Sequence, residues 1–177
     1  MAVSLITCAN LPLSEKGRNV SNTADGGIYV AAMPLRAAKG PGQFIMSTAY
    51  SLNLCWDFQH FMVLISSPQH QSQSQVLVFD YQPQDPENIY VALAALSGGK
   101  VPGAIRVRKM TMLPKNKCWH VGFSSKDSIV RAEQFNEAWQ SDLKIGQHDC
   151  RDYTNGLVEH LTGEKQVLNR LRRDLDI

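Results

Sequence analysis

The sequence predicts an α+β fold, and three observations carry that prediction. Two short runs rich in aromatic and β-branched residues, "WDFQHFMVLIS" (56–66) and "QVLVFDYQ" (75–82), read as neighbouring strands. Two later stretches, "KDSIVRAEQFNEAWQ" and "DCRDYTNGLVEHLTG", place apolar residues at helical spacing. The order is a hairpin, a helix, two strands and then helices, with no regular alternation of strand and helix.

The chain has 177 residues, 44% of them hydrophobic and 19% charged, which suits one globular domain with a real core. A net charge of +2 gives no basis for a nucleic-acid partner. The longest apolar run, "FMVLIS", is strand-sized and far short of the roughly 18 residues of a membrane span, so no transmembrane segment is expected. The cysteines, Cys8, Cys55, Cys118 and Cys150, form no CxxC and no tight cluster. That spacing argues against a structural zinc site and a disulfide framework, and no metal or other cofactor is expected. Free thiols in a reducing compartment are the simpler reading.

Residues 1–45 read as a flexible N-terminal arm ahead of a single domain, 46–177. The first 40 residues lack periodicity over most of their length and hold Lys16, Arg18, Arg36 and Lys39 against Glu15 and Asp25. Mixed basic, hydroxylic and small residues suit a transit peptide, hence a plastid (chloroplast) or mitochondrial protein. A plain arm on a cytoplasmic protein is the alternative. On either reading these residues contribute little to the fold.

Within the domain, "SPQHQSQSQ" is polar enough for an exposed hairpin loop. In "QDPENIYVALAALSGG" Asp85 is a candidate N-cap, Pro86 suits the first turn, Ile89, Ala92, Leu93 and Leu96 share a face, and Gly98 is placed to end the helix. "AIRVRKM" alternates as a strand with Arg106 and Arg108 outward, and "KCWHVGF" reads as another. Ile129, Ala132, Phe135 and Trp139 mark the core face of the next helix, and "EKQVLNRLRRDLDI" forms an amphipathic tail with Leu168, Leu171 and Leu175 inward.

Between these two helices lies the stretch with chemistry in it. Asp149 is a good N-cap residue, Asp152 adds negative charge to the first turn, and Tyr153, Leu157, Val158 and Leu161 make a buried stripe that Gly163 ends. Cys150 then falls in the first turn, where backbone N–H groups and the helix dipole favour a thiolate and the amides of 150–153 can hold an oxyanion. The two acids oppose a thiolate, and both are expected to point to solvent, where water and salt screen them.

A nucleophilic thiol needs a base from elsewhere in the chain. His70 lies in the polar loop, His160 near a helix end, and His148 is too close in sequence to Cys150 to align with its sulfur. His60 and His120 remain, each on an expected strand. In "KCWHVGF" Trp119, Val121 and Phe123 alternate to one face, which points His120 away. If 64 faces 76, 62 faces 78 and 60 faces 80, then His60 shares a sheet face with Asp80, whose carboxylate would orient the ring and stabilise its charged form.

The layout "QHFMVLI … VLVFDYQP … VRAEQFNEAW … GQHDCRDYTNGLVEHLTG" resembles the permuted NlpC/P60-like thiol enzymes of papain-like fold, in which histidine precedes cysteine. The nearer resemblance is to the lecithin:retinol acyltransferase-like (LRAT-like) group. It covers roughly residues 50–163 and implies an antiparallel sheet packed against helices, including the helix that bears the cysteine. It also implies His60 as base, Asp80 as third polar residue and Cys150 as nucleophile. Asp149 stands where the group has asparagine, and Arg151-Asp152 where it has Glu-His. The group's hydrophobic C-terminal anchor is absent, and both departures bear on the substrate.

The expected activity is that of a cysteine-dependent acyltransferase or hydrolase acting on an acyl lipid through an acyl-enzyme on Cys150. A peptidase or isopeptidase using the same dyad on a peptide substrate is the alternative, as is a binding module that keeps the fold without turnover.

Overall fold

The computed structural model describes residues 26–34, 59–66 and 75–175. Strands β1 (Gly27–Pro34), β2 (Gln59–Ser66), β3 (Val76–Pro83), β4 (Val101–Met110), β5 (Cys118–Phe123) and β6 (Asp142–Leu143) form one antiparallel sheet in the order β5-β1-β2-β3-β4-β6. Helices α1 (Ile89–Leu96), α2 (Ser128–Ala138), α3 (Cys150–Thr162) and α4 (Val167–Leu175) complete an α+β architecture. No helix among the described residues is long and apolar enough to cross a membrane.

Strand periodicity explains the two cores. On one face Ile28, Val30, Phe61, Val63, Ile65, Phe79 and Tyr81 pack against Tyr153, Leu157 and Val158 of α3 and Val167, Leu168 and Leu171 of α4. On the other face Ala31, Met62, Leu64, Val76 and Val78 form a smaller cluster with Met110, Leu113 and Cys118 around it. The middle strands are therefore covered on both sides, and each fully buried Leu, Ile, Val or Phe contributes about 1.5–3 kcal/mol.

The largest departure from expectation is β1. Gly27–Pro34 lies inside the segment read as an arm, yet it sits between β5 and β2, with Val30 opposite Val63 and Trp119. A strand buried on both faces reads as a continuous apolar run with no alternation, which is why "GIYVAAMP" gave no strand pattern. Residues 1–25 and 35–58 lie outside the described residues, as does most of the polar loop at 67–74.

The hairpin of β2 and β3 forms with a different register from the expected one. Met62 faces Asp80, Leu64 faces Val78 and Ser66 faces Val76, a shift of two residues. Because side chains alternate with period two, an even shift preserves the faces. His60 and Asp80 stay on the same side and become diagonal neighbours instead of a direct pair.

Helix α1 also differs. Its N-cap is Asn88, whose side chain accepts from the Tyr90 amide at 2.9 Å, and not Asp85. Its inward residues are Val91, Ala94 and Ala95, while Leu93 and Leu96 are about half exposed. The helix is apolar all round, so its sequence alone does not mark which side turns inward. In α3 and α4 the expected inward residues Tyr153, Leu157, Val158, Leu161, Leu168 and Leu171 are all buried. The side chain of Leu175 is outside the described residues. Gly163 ends α3 with φ +81, the left-handed conformation that glycine adopts without strain.

Candidate active site

Helix α3 begins where the sheet-facing stripe requires it to, and its first residue is Cys150. Asp149 caps it in extended conformation. Its Oδ1 accepts from the Arg151 amide at 2.8 Å, its side chain also takes the Asp152 amide, and Asp152 Oδ2 accepts from the Asp149 amide at 2.9 Å. The Gly146 amide donates to Asp149 Oδ2 at 2.7 Å, fixing the preceding loop to the same carboxylate.

This cap corrects two expectations. Asp149 does not point to solvent; it is 5% exposed and is neutralised by Arg151, whose Nη2 lies 2.7 Å from Oδ2. Burial would raise the Asp149 pKa, but the Arg151 guanidinium and the amides of Gly146 and Arg151 hold it below the usual carboxylate value. The helix start is also not an open set of donors. The amides of Arg151 and Asp152 serve Asp149, and that of Tyr153 donates to the Asp149 carbonyl at 3.0 Å. Of the four amides expected to hold an oxyanion, that of Cys150 is the one these bonds leave over.

The Cys150 thiol is half-buried and lies 4.0 Å from the Gln59 carbonyl at the start of β2. The next residue is His60, which brings its imidazole to Cys150 and to Asp80 of β3. His60 Nε2 is 3.9 Å from Asp80 Oδ2. That distance is longer than a formed hydrogen bond, and Nε2 makes no other hydrogen bond among the described residues. Burial favours the neutral ring, yet the Asp80 carboxylate and the Cys150 sulfur outweigh it and push the imidazole pKa up to about 9. At neutral pH the ring is therefore protonated.

Asp80 is itself held from the other side. Arg108 Nη2 lies 3.0 Å from the same Oδ2, closer than His60, and 3.5 Å from Met62 Sδ. Asp80 Oδ1 is buried with no hydrogen-bond partner. The Tyr153 phenol, close to Asp80, is pushed well above its usual pKa, mainly by burial, and donates to Asn136 Oδ1 at 2.6 Å.

The remaining histidines are elsewhere. His120 is exposed on β5 with its ring against Tyr29 and Phe123. His148 stacks on Trp139 at 4.5 Å, and its Nδ1 lies 2.7 Å from the Asp142 carbonyl. His160 packs beside Phe135 near the end of α3, and His70 is outside the described residues. Of the other thiols, Cys118 is half-buried on β5, and burial pushes its pKa up to about 11. Cys8 and Cys55 lie outside the described residues.

Sequence reading named Cys150, His60 and Asp80, and the structure brings these three together. It missed Arg108, Arg151 and Gln59. Arg151 had a visible signal, a cation beside a capping acid. Arg108 had none beyond strand alternation, because its partner depends on the register of β3 against β4. Gln59 reads as an ordinary strand residue, yet it is 6% exposed and its amide oxygen has no hydrogen-bond partner. Comparison of the chain with protein-family models, with curated proteins and with solved structures finds no match.

Proposed function

We propose that the protein is a thiol-dependent acyltransferase or hydrolase that forms an acyl-enzyme on Cys150, on a permuted NlpC/P60-like, papain-type fold nearest the LRAT-like group. One observation carries this reading: a largely shielded imidazole lies beside both the Asp80 carboxylate and a thiol in the first turn of a helix. The proposed reaction runs through the ion pair of a Cys150 thiolate and the His60 imidazolium beside it.

The thiolate attacks the acyl carbonyl carbon, and the carbonyl π electrons move to oxygen. The oxyanion meets the Cys150 amide, and we assign the second donor to the side-chain amide of Gln59, a buried residue whose backbone carbonyl lies 4.0 Å from the sulfur. Collapse breaks the bond to the leaving oxygen, which takes the proton from the imidazolium, and a thioester remains. Water or an acceptor alcohol or amine then attacks the thioester, gives its proton to the now neutral His60, and expels the thiolate. An amide substrate would use the same residues with nitrogen as the leaving atom.

Intact-mass analysis after incubation with a panel of acyl lipids, activated esters and peptides tests this. An acyl adduct on the wild-type chain, absent from Cys150→Ala, is the expected result. Absence of any adduct across the panel, under conditions where the thiol alkylates readily, would favour a binding module on the same fold.

A further inference from the structure

Asp80 is approached along two diagonals of the sheet. His60 comes from β2, where Met62 is the residue directly opposite Asp80, and Arg108 comes from β4, where Arg106 is directly opposite. Arg106 does not serve Asp80; its Nη2 donates to the Gln84 carbonyl at 3.4 Å. Arg108 reaches in instead, to 3.0 Å from Oδ2, while His60 Nε2 stays at 3.9 Å from that same atom. Asp80 is 2% exposed, so this sharing takes place where charges interact strongly.

We propose that Arg108 is a positioning residue for the dyad: it holds the Asp80 carboxylate off His60, so that Asp80 stabilises the imidazolium without trapping its proton. The inference rests on the proposed thiol chemistry, and it addresses a step that chemistry needs. The imidazolium must surrender a proton to the leaving group, and a full hydrogen bond to a buried carboxylate with no other partner would oppose that. Arg108 divides the carboxylate's charge between two cations. The Met62 thioether, 3.5 Å from the same Nη2, backs the guanidinium in this position.

The charged and titratable groups around the ring are Asp80 on β3, Arg108 on β4 and Cys150 on α3, with Tyr153 beside Asp80 and the Asp149–Arg151 pair at the helix start. On β1 the residue opposite His60 is Met33, which carries no charge. Among the described residues, removal of Arg108 leaves His60 as the one cation paired with Asp80.

The test follows the His60 ring proton by NMR and the alkylation rate of Cys150 by iodoacetamide, both against pH, in the full-length chain. Arg108→Gln is expected to move both midpoints upward by roughly one pH unit, to leave the alkylation plateau unchanged, and to slow turnover of any ester that acylates the wild type. Asp80→Asn is expected to move both midpoints down. A midpoint unmoved in Arg108→Gln while Asp80→Asn shifts it would overturn the role of Arg108 and leave the dyad intact. If neither Asp80→Asn nor Cys150→Ala shifts the His60 midpoint, the dyad reading itself fails. Should Arg108→Gln not fold, Arg108→Lys replaces it: the shorter-reaching cation loosens the hold on Asp80, and an upward shift supports the proposal while none overturns it.

Discussion

His60 and Asp80 stand diagonally across the β2–β3 ladder, Nε2 to Oδ2 3.9 Å, with the carboxylate almost wholly buried. The pair sets a pH dependence whose sign can be worked out. The folded His60 pKa is about 9, against 6.5 for an unperturbed ring. The folded chain therefore binds this proton more tightly than the unfolded chain. The associated stability is fully present below pH 6.5 and is lost as pH rises through 9. Its size is of order 3 kcal/mol, since the ring is mostly shielded from solvent. Urea midpoints measured from pH 6 to pH 10 should fall for the wild type and much less for His60→Gln; parallel curves would contradict the coupling.

The N-cap gives a second stability test. Asp149→Ala removes the acceptor for the Arg151, Asp152 and Gly146 amides and the carboxylate that pairs with the Arg151 guanidinium. A loss of about 2 kcal/mol is expected, with Asp149→Asn retaining much of the cap. Because the folded Asp149 pKa is depressed, its contribution is present above the unfolded carboxylate value and disappears as pH falls through the folded one. Chemical denaturation of the two variants at pH 7 and pH 3 separates the cap from the charge.

Deletion of residues 1–40 removes β1, which pairs with both β2 and β5 and buries Ile28, Val30 and Ala31. The truncated chain should lose its cooperative thermal transition. A midpoint within a few degrees of the wild type would show that β1 is dispensable.

Much of the fold was legible because amphipathic pattern and caps are local. The stripe of Tyr153, Leu157, Val158 and Leu161, the Asp149 cap and the Gly163 stop all follow from residues within one helix. What was hidden depends on burial from both sides or on pairing between strands. The strand Gly27–Pro34 has no polar face to reveal it. The shift of Asp80 from opposite residue 60 to opposite Met62, and the approach of Arg108 along the other diagonal, are set by registers no single segment encodes. Cys150, His60 and Asp80 nonetheless lie near one another, because strand parity survives a two-residue slip and the helix start is set locally.

Gln59 separates chemistry from stability. If its amide stabilises the oxyanion, Gln59→Leu should slow acylation of Cys150 by an ester about 10²-fold. The same substitution removes a buried oxygen that lacks a hydrogen-bond partner, so folding stability should hold or rise. Stopped-flow acylation and thermal melts on the same sample read both; an unchanged acylation rate would remove Gln59 from the mechanism.

The pairing of His60 with Cys150 is tested most directly by alkylation at pH 6, with glutathione in the same tube as a reference thiol. Iodoacetamide should modify Cys150 ahead of both glutathione and Cys118, whose pKa burial holds at about 11. His60→Ala should slow the Cys150 reaction several-fold and leave the other two unchanged. Modification of Cys150 no faster than glutathione, at the same rate with and without His60, would contradict the account.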